Sequence, residues 1–391
     1  AHMSGNEQKY IDEAFRSNWV VPLGPNVDGF EADLHHFMLK DHPQLEHKQV
    51  VALSSGTAAI HLALLGCGVG PGDEVCVQSF TFCASCNPVR YVGGVPILID
   101  SEPDTWNMDP TLLEQAIVER KSITGRYPKA IIVVALYGMP YNIEAIMDIA
   151  NRYGIPVIED AAEGLGSRFD GQALGTFGKY GVLSFNGNKM ITTSGGGALI
   201  CPDMDSKTRT LFYATQARDN YPYYEHTHIG YNYRLSNICA GIGRGQMTVL
   251  NEHIAHHQRL AKMYKKALAN LPGVSFHACP DARYESNYWL SCITLDEKVH
   301  VVGEEAVQIE AGQVAPNRNI EALRIYMDKA GIETRPLWKP MHLQPIYADA
   351  PAYLNGVSEH LFRVGLCLPS GPMVTDEDFE YIISTLKEAI K

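Results

Sequence analysis

The sequence predicts an α/β protein, with a large domain on a mainly parallel seven-stranded sheet flanked by helices and a smaller C-terminal α+β domain. Three observations carry this expectation. From Gln49 to about Ile200 short apolar runs alternate with longer amphipathic stretches, the pattern of strand–helix–strand units. After Tyr231 that alternation gives way to nearly continuous helical periodicity over residues 236–269. Pro272-Gly273 then punctuates the chain, and mixed strand and helix signals follow. A length of 391 residues suits one large and one smaller domain.

In chain order, residues 1–17 stand apart: Ala1-His2-Met3 has the look of a vector remnant, and an N-terminal arm or helix follows. The large domain is expected over 18–255 and the small one over 256–391. Strands are expected at 50–53, 74–78, 95–100, 130–136, 156–159, 181–185 and 197–200, each an apolar run of strand length. Helices are expected between them at 57–65, 110–119 and 142–153. In the small domain a strand is expected at 288–295 and helices at 319–330 and 376–390. Residues 298–317, acidic at first and weakly periodic, read as a surface excursion.

Composition removes several classes of function. There are 32 Lys and Arg against 44 acidic residues, a formal charge of −12, and no basic run that could track a nucleic-acid backbone. The longest apolar runs are about strand length, far from the roughly 20 residues of a membrane span. No secretion signal follows Met3, so a cytoplasmic location is expected. Nine cysteines scattered through apolar stretches suit reduced core thiols. Cys83-Ala84-Ser85-Cys86 has no second pair to complete a metal site, and no metal is expected.

Three short pieces carry chemistry. In Leu53-Ser54-Ser55-Gly56-Thr57 a strand ends and small residues open an apolar helix, which offers free backbone N–H groups to an anion or simply a Ser55 helix cap. In Ile158-Glu159-Asp160-Ala161-Ala162-Glu163 an apolar strand ends in carboxylates, which places Asp160 at the ligand-binding edge of the sheet or at a helix cap. Lys189 follows the strand containing Ser184-Phe185 and precedes Thr192-Thr193-Ser194-Gly195-Gly196-Gly197, where the backbone must turn tightly or approach something closely. Taken in order they give a phosphate cup, a carboxylate for a pyridine nitrogen and an amine able to form a Schiff base, the functions that pyridoxal 5′-phosphate (PLP) requires.

At this point the chain resembles the DegT/DnrJ/EryC1/StrS family of sugar aminotransferases, which have the PLP-dependent transferase fold type I. The matching residues are Gly24-Pro25 with Phe30-Glu31, Ser55-Gly56-Thr57, Ser79-Phe80-Thr81-Phe82, Glu159-Asp160-Ala161-Ala162, Ser184-Phe185 with Lys189, Gly230-Tyr231-Asn232-Tyr233-Arg234, and Arg335-Pro336 with Lys339-Pro340-Met341-His342. The resemblance implies that Lys189 carries PLP and that Asp160 binds its ring nitrogen. Gly56, Thr57 and Ser184 would hold the phosphate, Phe82 would stack on the ring, and Asn232 would reach the cofactor of a neighbouring subunit in a homodimer with shared sites. His342 and Arg234 would meet substrate. Two departures stand out: Glu163 replaces a common Gln at the contact to the cofactor phenolic oxygen, and Cys83-Ala84-Ser85-Cys86 replaces small apolar residues.

Ser184-Phe185-Asn186-Gly187-Asn188-Lys189 with the hydroxyl and glycine run after it looks most like enzymes that aminate UDP-linked 4-keto-6-deoxy-N-acetylhexosamines. The resemblance implies L-glutamate as donor and a role in cell-surface glycan or polysaccharide precursor synthesis. The alternatives are a sugar 3-aminotransferase or dehydratase of the same fold, and a non-catalytic PLP- or sugar-binding regulator. The dehydratases carry His at the lysine position, which Lys189 opposes; no GxGxxG follows the first strand, which excludes a simple dinucleotide binder.

Overall fold

The computed structural model describes residues 1–309, 312 and 314–390. Seven strands form where the apolar runs lie: β1 (Gln49–Leu53), β2 (Glu74–Gln78), β3 (Val95–Ile99), β4 (Ala130–Val134), β5 (Val157–Asp160), β6 (Tyr180–Ser184) and β7 (Gly197–Cys201). They lie in the order β1-β7-β6-β5-β4-β2-β3. β7 runs antiparallel to both its neighbours, and the β2, β3, β4, β5 and β6 pairings are parallel. An eighth strand, Ala352–Tyr353, adds to the free edge of β3, which corrects the expected count of seven. Two residues taken from the far end of the chain leave no periodicity to read.

Both faces of this sheet are covered. Along β1, Val50 and Ala52 enter one apolar core while Val51 and Leu53 enter another, the two-residue period of a strand buried on both sides. The flanking helices start and stop on local signals. Asn142 accepts from Ala145 N–H and begins Ile143–Tyr153, and Gly154 closes it at φ +65, a conformation that costs glycine little.

The long helical stretch is two helices, Asn237–Met247 and Leu250–Leu268. Thr248 ends the first by giving both its N–H and its hydroxyl to the Gly245 carbonyl, and Val249 then leaves helical geometry with φ −118 and ψ 5. The second helix runs through the expected boundary at 255. Leu250 packs in the core of the large sheet, whereas Leu260, Tyr264 and Leu268 pack in a separate one.

That separate core backs a four-stranded antiparallel sheet in the order Val274–Phe276, Ser291–Leu295, Gly365–Leu368, Arg335–Pro336. Helices Arg318–Lys329 and Asp376–Ala389 cover it; a Thr375–Asp378 capping box begins the second. The expected surface excursion is tied down: Val299, Val301 and Val307 are buried in this core, and Val301 bridges Ile390. Of that excursion, residues 310, 311 and 313 lie outside the described residues. No helix among the described residues is long and apolar enough to cross a membrane.

Candidate active site

Ends of parallel strands that turn into helix N-termini make a ligand crevice, and here a cavity of about 1190 Å³ opens at the ends of β1, β4, β5 and β6. At one end lie Ser55, Gly56, Thr57 and Ser184. Ser55 caps helix Gly56–Gly66 by accepting from Ala58 N–H at 3.0 Å, and the first-turn amides of Gly56 and Thr57 have no intrahelical acceptor. Positive helix-dipole charge and free N–H groups meet there, the requirements of a phosphate cup. Gly197 makes the cup possible: a Cβ on it would stand 2.4 Å from Gly56 N and from the Ser55 carbonyl carbon.

Asp160, at the end of β5, forms one wall and is buried. Its Oδ2 accepts from Ser85 Oγ at 2.6 Å and its Oδ1 from Ala162 N–H at 3.2 Å, while Thr81 Oγ1 sits 2.7 Å from Ser85 Oγ. Burial pushes the Asp160 carboxyl up, and Ser85, Ala162 and Lys189 oppose that push. The aimed donors favour the carboxylate form, and burial favours the neutral one.

Lys189 Nζ lies 3.2 Å from Glu163 Oε1 and 4.2 Å from the centre of the Trp289 ring. The other Glu163 oxygen accepts from Tyr137 N–H at 2.6 Å. Burial also raises the Glu163 carboxyl, with Lys189 as the strongest opposing group and the Asp160 charge adding to the rise. Phe82 lines the cavity, 57% exposed, with its ring 5.7 Å from that of Trp338.

The structure thus brings Gly56, Thr57, Phe82, Asp160, Glu163, Ser184 and Lys189 to one cavity. Three expected residues lie outside its lining. Asn232 is exposed on a segment bridged to Thr215. Arg234 gives its guanidinium to Glu31 Oε1 at 2.6 Å and the Ala52 carbonyl at 2.9 Å. His342 is bound twice to buried Ser79, through Nδ1 at 2.7 Å and its own N–H at 3.2 Å. In this chain Arg234 and His342, expected to meet substrate, tie segments together outside the lining of this cavity.

Sequence reasoning missed Ser85, Tyr137, Trp289 and Trp338. Ser85 lies between Cys83 and Cys86, a spacing whose chemistry reads first through its cysteines. Cys86 is fully buried and its thiol pushed well up by that burial. All nine cysteines are free, and no group of metal ligands occurs among the described residues.

A model of the DegT/DnrJ/EryC1/StrS aminotransferase family matches residues 2–387. The chain belongs to that family. It is 46% identical over 390 residues to EpsN of Bacillus subtilis (strain 168), whose name places it among pyridoxal phosphate-dependent aminotransferases, covering 98% of this chain and 93% of that one. It is 34% identical over 386 residues to GDP-perosamine synthase of Escherichia coli O157:H7, covering 99% and 96%. Among solved structures, a family aminotransferase from Brucella abortus superposes with a TM-score of 0.85 at 28% identity, covering 98% of this chain and 95% of that one.

This member of the family is therefore a PLP-dependent sugar aminotransferase of fold type I. The residues present fit the cofactor on their own chemistry. A cup built on Gly197, a buried Asp160 carboxyl, a lysine amine and the exposed Phe82 ring surround one cavity, so Ser55 to Thr57 and Ser184 would hold the phosphate, Asp160 the ring nitrogen and Phe82 the ring face.

Proposed function

We propose that this aminotransferase moves the amino group of L-glutamate to the C4 keto carbon of a nucleotide-linked 4-keto-6-deoxy sugar, with UDP-2-acetamido-4-keto-2,6-dideoxyhexose the favoured acceptor, for cell-surface glycan precursor synthesis in the cytoplasm. The observation that carries the reading is Lys189 Nζ, held 3.2 Å from Glu163 on the wall that also bears Asp160, facing a cavity of about 1190 Å³. That volume exceeds an ordinary cofactor pocket, leaving room for a substrate beside PLP.

When bound, PLP supplies an electron sink for the donor's α-carbon. The protein supplies the rest. Asp160 would face the ring nitrogen, with Ser85 Oγ and Ala162 N–H favouring its carboxylate form against the upward push of burial. Lys189 Nζ would serve as general base and acid for the donor's α-proton, and Glu163, at 3.2 Å, would keep that amine in place when it is free. Phe82, Trp289 and Trp338 line the cavity with apolar surface. We further infer a homodimer with shared sites: Asn232 is exposed and lies outside the lining of its own cavity, and Tyr221, Tyr223, Tyr224 and Ile229 on the same excursion are exposed apolar groups, a pattern that fits contact with a second copy.

Absorbance with L-glutamate tests the first half. A band near roughly 400–430 nm should move toward about 330 nm in wild type, and Lys189→Ala should have neither the band nor the shift. Offering UDP-, GDP- and dTDP-linked keto-sugars, then locating nitrogen in the product by NMR, tests the second half. Nitrogen at C3, or turnover only with another nucleotide, would replace the acceptor named here.

A further inference from the structure

We propose that Trp289 is a positioning residue for Lys189 and that Asn287 sets it there; this rests on the reading of Lys189 as the cofactor lysine. Two partners flank the Lys189 ammonium: the Glu163 carboxylate at 3.2 Å and the Trp289 ring at 4.2 Å. They come from distant stretches of the chain, Glu163 from the turn after β5 and Trp289 from the approach to small-domain strand Ser291–Leu295. One side chain joins them. Asn287, fully buried, donates from Nδ2 to the Glu163 carbonyl at 2.8 Å and accepts at Oδ1 from Trp289 N–H at 2.8 Å.

The backbone between these residues is strained in a way that only surrounding bonds can hold. Tyr288 has φ +49, a left-handed conformation that bulky residues avoid. His257 Nδ1 holds its carbonyl at 3.1 Å and Ser286 Oγ its N–H at 2.9 Å. The result turns the indole so that its face meets Lys189 Nζ while Nε1 donates to the Asn188 carbonyl at 2.7 Å. One ring therefore fixes both the lysine's head and the backbone beside it. Its electron-rich face favours positive charge at that nitrogen, which weights the form in which the amine is free of the cofactor.

An equilibrium reads this out apart from turnover. Loaded wild type, Trp289→Phe and Trp289→Leu are brought to rest in fixed mixtures of L-glutamate and 2-oxoglutarate. The ratio of the bands near roughly 330 and 420 nm then gives lysine-free against lysine-bound cofactor. Loss of a desolvated cation–π contact shifts that ratio toward the lysine-bound form by roughly 5- to 30-fold in Trp289→Leu. Trp289→Phe keeps a ring and shifts it roughly two- to threefold.

A residue that only packs would slow the approach to equilibrium and leave the ratio alone. Circular dichroism of the cofactor-free proteins checks folding, and Trp289→Phe carries the test if the leucine variant does not fold. Unchanged ratios overturn the proposal. A wild type that shows no band change with glutamate overturns the aminotransferase reading instead.

Discussion

Ser85→Ala removes one buried hydroxyl from behind Asp160 and tests how far that donor favours the carboxylate form. Ser85 Oγ donates to Asp160 Oδ2 at 2.6 Å and is itself 2.7 Å from Thr81 Oγ1, with all three side chains buried. Without it, the burial that raises the Asp160 carboxyl is opposed only by Ala162 N–H and Lys189. A hydrogen bond to an ionised acceptor contributes about 1.5–3 kcal/mol, so kcat/KM for the amino donor should fall roughly 10- to 150-fold. The pH direction follows from which form the hydroxyl favours. It favours the carboxylate, so its loss raises the pH at which Asp160 takes up a proton, and the acid limb of kcat/KM moves to higher pH. Stopped-flow half-reactions with L-glutamate from about pH 5 to 9 measure both effects. A uniform loss with an unmoved acid limb would mean that Ser85 only fills space, and an unchanged profile would refute the argument outright.

Gly197→Ala places a Cβ 2.4 Å from Gly56 N and the Ser55 carbonyl carbon. It should weaken PLP affinity at least tenfold by spreading the cup, at an overpacking cost of about 1–3 kcal/mol, measured by cofactor titration of the stripped protein. Mixing inactive Lys189→Ala with an impaired Asn232→Asp should yield hybrid dimers with activity that exceeds either parent, and light scattering should give a dimer mass; failure of both removes the shared site. Burial holds His61 and His257 down to about 4 and His277 to about 3. In the unfolded chain each binds a proton near 6.5, so the unfolded state binds more protons in that window. Stability should fall as pH drops from about 6.5 toward 4, seen as lower urea midpoints at pH 5 than at pH 7, and His257→Gln should make the slope shallower.

What could be read in advance was set by neighbours in sequence. Ser55-Gly56-Thr57 works through its own backbone, Asp160 through its place at the end of β5, and Lys189 through the glycines that follow it, so strand ends and turn residues announced them. The seven main strands were likewise legible because each one's apolar run is local. Ser85 is different: its acceptor is 75 positions away, and nothing between Cys83 and Cys86 says which way a hydroxyl points. Trp289 and Trp338 reach the cavity from the small domain, and that docking has no sequence period.

Arg234 shows the same division from the opposite side. A charged residue ending an aromatic, glycine-led motif reads as a hand held out to substrate. Yet a charge that is 11% exposed must be paired or it costs heavily, and here Glu31, from helix Pro25–Leu39, takes Arg234 Nη1 and Lys207 Nζ together while also accepting from Ala52 N–H. Glu31 was itself among the residues that carried the family resemblance. A shared motif therefore reports that a position is constrained without reporting by what. Gly56, Asp160 and Lys189 line the cavity, whereas Glu31 and Arg234 form the pairing that holds β1 against its neighbouring helix, and only the partner in space separates the two cases.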